Sequence, residues 1–289
     1  MGKYDIKFGV WYDFRNPPQW RQDPTALYKA SFDQIVRAED MGFENVWLSE
    51  HHFIEDGYSP SMLPIGCAIA ARTEKIRIGT SLLLLPLHHP VQVAEDAATL
   101  DVISGGRLEL GLGVGYRVEE FAGMNVDPKE RAQRMDEGVE IIQRLFAGER
   151  FSFNGQHYQY KDIEIFPKPV QKKVYLRMGG FSKSAVRRAA RMDCGFLLLG
   201  PAAEWAQLYW SELDRLGKNR EDHSVAGGYM WVHVSRDPKK RWKEVAPHWA
   251  YQQNLYTKWI SGAGMANTYG IQEVEASQEA LEANSCFIL

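Results

Sequence analysis

The sequence predicts an α/β fold in which parallel strands alternate with helices and close into a (β/α)8 barrel. Strand-like and helical segments recur at intervals of roughly 25–35 residues, the spacing of repeated strand–helix units. The longest apolar run, Ile76–Leu85, is apolar on both faces, as in a parallel sheet that is covered on each side. A doubly wound dinucleotide-binding sheet would carry GxGxxG after its first strand, but Tyr12–Arg15 stands there without glycine.

Seven segments have the composition of strands, being short, apolar and bounded by turn residues. They are Ile6–Trp11, Asn45–Leu48, Ile76–Leu85, Leu108–Gly113, Val174–Met178, Gly195–Leu199 and Tyr229–Val234. No segment accounts for an eighth strand, and the chain finishes on the apolar stretch Ser285–Leu289. We therefore expect the C-terminal end of the barrel to be incomplete, without the eighth strand and the last helix.

Helical patterns follow the strands. The first opens at Asp23-Pro24, where the aspartate can cap the helix and proline suits its first turn, and it ends at Gly42. The others are Ser61–Arg72, Pro90–Ser104, Lys129–Phe146, Ser182–Met192, Ala203–Leu216 and a helix from Asp237 to near Trp259. At Glu149–Pro169, aromatic and polar residues alternate around Asn154-Gly155, which predicts a β-hairpin. We interpret this hairpin as an excursion from one barrel domain spanning residues 1–289.

Composition and charge exclude several classes of protein. A formal net charge of −3 offers no electrostatic basis for binding nucleic acid or an anionic membrane. Cys67, Cys194 and Cys286 are scattered without CxxC spacing, so they predict neither a disulfide framework nor a zinc ribbon. The first residues lack the apolar core of a signal peptide, and no run of about 18 apolar residues predicts a membrane span. These features predict a protein of the reducing cytoplasm.

In a barrel, functional residues lie on the loops after the strands, and two of these loops carry histidine pairs. Ser49–Phe53 contains His51, which can move a proton near neutral pH, although a structural loop histidine is the alternative. Because adjacent strand residues point to opposite sides, at most one of His51 and His52 should face the site. Pro86–Pro90 contains the second pair. A metal centre needs three or four converging ligands, and nothing identifies a third, so we predict no metal.

Two glycine-rich loops are candidates for contact with a ligand. Gly111–Arg117 permits close approach of the backbone to a ligand, with tight packing at a barrel corner as the alternative. Gly179, Gly180, Ser182 and Lys183 open a helix and provide amide donors, a hydroxyl and a cation. This combination favours a phosphate site over simple capping by Ser182.

Together these motifs resemble the bacterial luciferase-like superfamily of flavin-dependent oxidoreductases. The matching stretches are Gly42–Phe53, Ala71–Thr80, His89–Asp96, Leu100–Gly113, Glu120–Gly123 and Gly179-Gly180. The resemblance implies a TIM-type (β/α)8 barrel with FMN, or the deazaflavin F420, at the strand ends. It also implies that His51 is the catalytic histidine, and that members are commonly dimeric, which makes a homodimer the expected assembly.

The resemblance assigns the cofactor-binding residues as well. It places the cofactor phosphate on the Gly179–Lys183 segment, with Arg131 taking part of that role. Ser81, Leu82 and Gly113 are expected to flank the ring or its tail, with a cis peptide bond between Ser81 and Leu82. Gly113 stands where luciferase has its active-site cysteine, and Val114 replaces a phosphate-contacting arginine, so light emission is not expected.

Three functions remain open. The favoured one is a monooxygenase that uses reduced FMN, supplied by a separate flavin reductase, and oxygen on a small organic substrate. Glu50–Phe53 supports it, because this segment resembles the FMN-using luciferase branch. The first alternative is an F420-dependent oxidoreductase that transfers a hydride. Cations at Arg117, Lys129, Arg131 and Lys183 could bind the acidic tail of F420. The second alternative is a flavin-binding protein without catalysis.

Overall fold

A parallel sheet of seven strands forms the centre of the molecule in the computed structural model, which describes residues 7–198, 203–228, 230–264, 273–274, 277 and 286–288. Its strands are β1 (Gly9–Tyr12), β2 (Asn45–Leu48), β3 (Arg77–Thr80), β4 (Leu108–Leu112), β7 (Tyr175–Gly179), β8 (Gly195–Leu198) and β9 (Val225–Gly227). They lie side by side in this order, and every neighbouring pair is parallel. The carboxyl ends of all seven strands therefore share one edge of the curled sheet.

Eight α-helices cover the sheet within the described residues. They are α1 (Pro24–Asp40), α2 (Met62–Ala70), α3 (Pro90–Ser104), α4 (Val118–Gly123), α5 (Arg131–Phe146), α6 (Lys183–Arg191), α7 (Ala203–Arg215) and α8 (Pro238–Gly262). The predicted cap of α1 is confirmed, since the Asp23 carboxylate accepts a hydrogen bond from the backbone N–H of Ala26. Every residue of β4 is buried, as expected for a parallel strand covered on both faces.

The predicted hairpin is also confirmed. Its strands, β5 (Phe151–Asn154) and β6 (Gln159–Ile163), are antiparallel and pair only with each other. The carboxylate of Glu137 on α5 accepts hydrogen bonds from the backbone N–H groups of the hairpin turn at Gln156, His157 and Tyr158. Helix α5 therefore positions this excursion against the barrel.

The structure corrects three predicted elements. The third strand ends at Thr80 rather than Leu85, because Leu85–Leu87 turns into a 3₁₀ helix. The predicted strand Tyr229–Val234 corresponds to β10 (Trp231–His233), which lies outside the seven-stranded sheet, and the seventh strand of that sheet is β9, which precedes the predicted segment and ends at the left-handed Gly227. The apolar end of the chain, to which no strand was assigned, contains β11 (Cys286–Ile288), but β11 pairs in parallel with β10 outside the seven-stranded sheet, so among the described residues that sheet lacks an eighth strand, as expected. Among the described residues, no helix is both long and apolar enough to cross a membrane.

Candidate active site

Glu50, His51 and His52 follow β2 and are all buried. Their side chains make different contacts. The ring of His51 contacts Glu120, whereas His52 Nε2 lies 2.5 Å from the carboxylate of Glu50. The segment is held by its backbone, since the N–H of His51 donates to the carbonyl of Ser59 at 3.2 Å. Each histidine of the pair therefore has its own acidic partner.

His51 and Glu120 form a buried acid–base pair on the strand-end loops. His51 Nδ1 lies 2.7 Å from Glu120 Oε1, and the two side chains are 7% and 0% exposed. The same oxygen accepts hydrogen bonds from the backbone N–H of His52 at 2.9 Å and from Arg117 Nη1 at 3.1 Å. Arg117 also donates to the carbonyl of His52, so the arginine joins the acid to the histidine loop.

The charge of Glu120 determines which nitrogen of His51 is available for chemistry. Burial works to raise the pKa of Glu120, but the hydrogen bond and charge of His51 and the charge of Arg117 outweigh burial, so the pKa lies below its ordinary value. A carboxylate can only accept hydrogen bonds, so His51 Nδ1 must carry the proton. In the neutral imidazole, His51 Nε2 is then the acceptor, and it lies 3.4 Å from the hydroxyl of Tyr116.

Aromatic rings surround His51. The centroids of Tyr58, Tyr116, Tyr256 and Trp259 lie 4.8, 5.7, 6.0 and 4.7 Å from that of the imidazole. Two of these residues come from α8, which therefore covers the carboxyl ends of β1 and β2. A wall of this kind keeps bulk water away from the reacting groups.

Glu50 connects the two histidine pairs that the sequence analysis noted. Its Oε1 lies 2.5 Å from His52 Nε2 and 2.6 Å from His88 Nε2, and its Oε2 accepts from the N–H of Leu84. Burial opposes ionisation of Glu50, but the hydrogen bonds from both histidines lower its pKa to about 2. Glu50, His52 and His88 each offer one atom that could bind a metal ion, and these atoms lie within 4.8 Å of one another. The absence of a metal stays a prediction here.

Ser81 and Leu82 lie where β3 gives way to its loop, and the predicted cis peptide bond between them is confirmed. The side chain of Leu82 packs on Gly113 and Gly179, where an added Cβ would come within 2.9 and 2.7 Å of it. Strands of a sheet are about 4.8 Å apart, so the ends of β2, β3, β4 and β7 together span about 14 Å. The glycines and Leu82 give this edge an apolar surface on which a flat ring can lie.

The predicted phosphate segment lies at the end of β7. Gly180 has a φ of 154°, and a Cβ there would come within 2.9 Å of Ala185. The hydroxyl of Ser182 caps α6 by accepting from the N–H of Ala185 at 3.2 Å, so capping is part of its role. Ser182 and Lys183 are exposed, and α6 presents its first N–H groups beside them.

Arg131 and Arg117, the other predicted cations of the site, are placed differently. Arg131 begins α5 and so lies at the same end of the barrel as the start of α6. No hydrogen bond or ion pair within the described residues joins it to the Gly179–Lys183 segment. Arg117 is buried against Glu120 and Trp259, and its contact with the tail of F420 stays a prediction. The roles of Arg131 and of the phosphate segment stay predictions.

Several polar residues of the site were not predicted from the sequence. Glu120 belongs to one of the motifs that match the family, but the six-residue helix α4 that carries it has no signal in the sequence. Asp13, Arg15 and Asp56 form a second buried cluster beside the histidine loop, in which Arg15 Nε donates to Asp56 Oδ2 at 2.7 Å. The sequence feature that could have identified Asp13 and Arg15 is their position directly after the first strand, where barrel enzymes carry functional residues.

The chain is similar to proteins of known activity. Residues 6–284 match the model of a family described as luciferase-like monooxygenase. An F420-dependent glucose-6-phosphate dehydrogenase of Microbacterium testaceum (strain StLB037) is 35% identical over 234 residues, which are 73% of this chain and 68% of that protein. One of the same description from Beutenbergia cavernae is 38% identical over 189 residues, which are 59% of this chain and 55% of that protein. The chain thus spans little more than half the length of the second relative.

Two solved structures share the fold. The oxygenating constituent of 3,6-diketocamphane monooxygenase from Pseudomonas putida, in complex with FMN, has a TM-score of 0.76 at 20% identity and covers 96% of this chain and 83% of its own. An F420-dependent secondary alcohol dehydrogenase, in complex with an F420-acetone adduct, has a TM-score of 0.76 at 18% identity and covers 98% and 85%. At these identities the likeness shows the fold alone.

Proposed function

Since the chain belongs to the luciferase-like monooxygenase family of flavin- and F420-dependent oxidoreductases, we propose that it uses F420 to transfer a hydride to or from a small alcohol or carbonyl substrate. The observation that carries the proposal is the buried His51–Glu120 pair at the strand ends. An alcohol gives up a proton when it gives up a hydride, and this pair is built to receive one. The relatives that are 35% and 38% identical are F420-dependent, which favours this function over our first expectation of reduced FMN.

The residues present fit a flavin-type cofactor. Leu82, packed on Gly113 and Gly179, offers an apolar surface for the ring, and the start of α6 offers amide donors and Lys183 for the phosphate. F420, when bound, supplies the centre that accepts or donates the hydride. His51 follows β2, the immediate neighbour of β3 in the sheet, which places it beside this surface.

His51 and its partners manage the proton. His51 Nε2 accepts the proton of the substrate hydroxyl as the hydride leaves the carbon, and it returns the proton in the reverse direction. Glu120 stabilises the resulting imidazolium, and Arg117 fixes the orientation of Glu120. Tyr58, Tyr256 and Trp259 keep water out, which strengthens these electrostatic contacts. His51 is therefore the catalytic residue, and Glu120 and Arg117 are positioning residues.

The proposal is tested with purified protein freed of cofactor. Titration with F420, FMN and reduced FMN measures binding, and anaerobic incubation with F420 and a panel of alcohols follows the loss of the F420 absorbance. We expect F420 to bind more tightly than FMN and to be reduced without consumption of oxygen. Binding of reduced FMN with negligible binding of F420 would overturn the proposal. Tight cofactor binding with no turnover of any substrate would favour the non-catalytic alternative.

A second candidate function is oxidation of a small organic substrate by reduced FMN and oxygen. The segment Glu50–Phe53 favours it, because this motif resembles the FMN-using branch of the family. The aromatic rings around His51 would exclude water from a reaction with oxygen, just as they would exclude it from hydride transfer. A separate flavin reductase would then be the partner, and oxygen consumption in the titration above identifies this outcome.

A further inference from the structure

Arg15, which follows β1, has two side-chain nitrogens without a hydrogen-bond partner among the described residues. Its side chain is 5% exposed, and its Nε donates to Asp56 Oδ2 at 2.7 Å. The two terminal nitrogens, Nη1 and Nη2, are buried and have no hydrogen-bond partner. A buried N–H of a charged group that has no hydrogen-bond partner destabilises the folded protein. Such a group in a native structure therefore indicates that a bound molecule accepts its hydrogen bond.

Aromatic rings compensate only part of this cost. The guanidinium carbon lies 5.2 Å from the ring centroid of Tyr58, 5.3 Å from that of Tyr251 and 5.6 Å from that of Trp259. Contacts between a cation and a ring stabilise the charge. They leave the four N–H groups of Nη1 and Nη2 without an acceptor.

The carboxylates beside Arg15 are paired with other donors. Asp13 accepts from the N–H of Arg15 at 3.2 Å and from Gln252 Nε2 at 2.9 Å. Asp56 accepts from Arg15 Nε, from the N–H of Tyr58 at 3.1 Å and from the hydroxyl of Tyr251 at 3.1 Å. All four carboxylate oxygens therefore already accept hydrogen bonds, but none accepts one from Nη1 or Nη2, so no acceptor among the described residues pairs with these two nitrogens.

This arginine lies close to the catalytic histidine. The ring of Tyr58 contacts both residues, at 5.2 Å from the guanidinium and 4.8 Å from the imidazole. Trp259 also contacts both, at 5.6 and 4.7 Å. A small molecule bound by Nη1 and Nη2 would therefore hold its other end near His51 Nε2.

We propose that Arg15 recognises a carboxylate of the substrate, which makes the substrate a hydroxy acid or the corresponding oxo acid. The inference rests on the proposed function. The two coplanar nitrogens of a guanidinium match the two oxygens of a carboxylate. The crowding of three rings favours this flat group over a tetrahedral phosphoryl group. Because Tyr251 and Trp259 both belong to α8, admission of the substrate needs displacement of these side chains.

Protonation of Asp13 can offset the negative charge that a bound carboxylate adds. The cluster facing it consists of Arg15, Asp56, Tyr58, Gln252 and Tyr256. Burial raises the pKa of Asp13 to about 6, although Arg15 opposes this. Asp13 is therefore the group that takes up a proton when an anion arrives. Binding of a carboxylate should strengthen as the pH falls toward 6, and binding of a neutral analogue should not.

Matched pairs of substrates test the proposal with F420. The pairs are lactate with 1,2-propanediol and mandelate with 1-phenyl-1,2-ethanediol, and glycerol 3-phosphate with glycerol is the control pair. A hydrogen bond to a charged group changes an equilibrium constant by about 10- to 150-fold, so we expect kcat/KM to favour the two hydroxy acids by that factor and not to favour glycerol 3-phosphate. Arg15→Lys, which keeps the positive charge but loses the two coplanar N–H donor groups of the guanidinium, should remove most of the preference for hydroxy acids. Arg21→Lys, an exposed neighbour on the same loop, should retain it.

A binding measurement separates this proposal from the proposed function. Tryptophan fluorescence of the cofactor-free protein, which contains Trp259, is followed as lactate, 1,2-propanediol or inorganic phosphate is added. Quenching by lactate alone, lost in Arg15→Lys and kept in Arg21→Lys, supports the proposal even if no F420 turnover occurs. Equal responses to lactate and the diol, or a response to phosphate alone, overturn it. Melting temperatures show whether Arg15→Lys is folded, and the wild-type comparison stands without that variant.

Discussion

Replacement of Glu120 by glutamine removes the negative charge beside His51 and keeps the size of the side chain. In the wild type, Glu120 Oε1 accepts from His51, from the N–H of His52 and from Arg117. A hydrogen bond to a charged group contributes about 1.5–3 kcal/mol, and the imidazolium formed during proton transfer loses this support. We therefore expect turnover to fall about 10- to 150-fold. The amide would also place donors where buried Oε2 has no partner, which costs about 1–3 kcal/mol of folding stability.

The assay is stopped-flow measurement of F420 reduction, which reports the hydride-transfer step, together with cofactor titration and thermal melting. The matched control is Glu119→Gln, because the neighbouring glutamate is 64% exposed and lies 3.8 Å from Arg117 at its closest. We expect the control to keep the wild-type rate and Glu120→Gln to keep its affinity for F420. A Glu120→Gln variant that turns over at the wild-type rate would show that the carboxylate has no role in proton transfer.

Four further predictions follow from the same contacts. His51→Ala should reduce turnover about 100-fold or more and leave cofactor affinity nearly unchanged, as steady-state rates and titration will show. Gly179→Ala should destabilise the fold by about 1–3 kcal/mol in chemical denaturation, because its Cβ would lie 2.7 Å from Leu82. Lys183→Ala should weaken cofactor binding at low salt with no change in melting temperature, and an unchanged Kd would contradict its phosphate role. The lowered pKa of Glu50 adds about 3 kcal/mol to the free energy of unfolding above pH 4.5, and this contribution is lost as the pH falls toward 2. Glu50→Gln should therefore make the free energy of unfolding less dependent on pH between 4.5 and 2.

Local patterns predicted much of the framework. Apolar runs located six of the seven strands of the main sheet, and Asp23-Pro24 located the start of the first helix to the residue. The hairpin followed from alternation around Asn154-Gly155, since both signals come from neighbouring residues. The fold was less predictable where no local pattern exists. Helix α4 has six residues, which are too few to show a repeating helical pattern of apolar residues. The separation of β9 from β10 depends on glycines within an otherwise apolar segment.

The sequence by itself determined which residues stand at the strand ends, including His51, Leu82, Gly113 and Gly179, because alternation of strands and helices is a local property of the chain. Only the tertiary structure decided their partners. Glu120 is 69 positions from His51 and meets it through a helix that no pattern announced. Pairings at such distances depend on how separate elements pack, and the order of residues along the chain carries no period that encodes them. Likewise, the packing of α8 across β1, about 240 residues away, buries Arg15, whose two terminal nitrogens have no hydrogen-bond partner in the part of the chain that the structure describes.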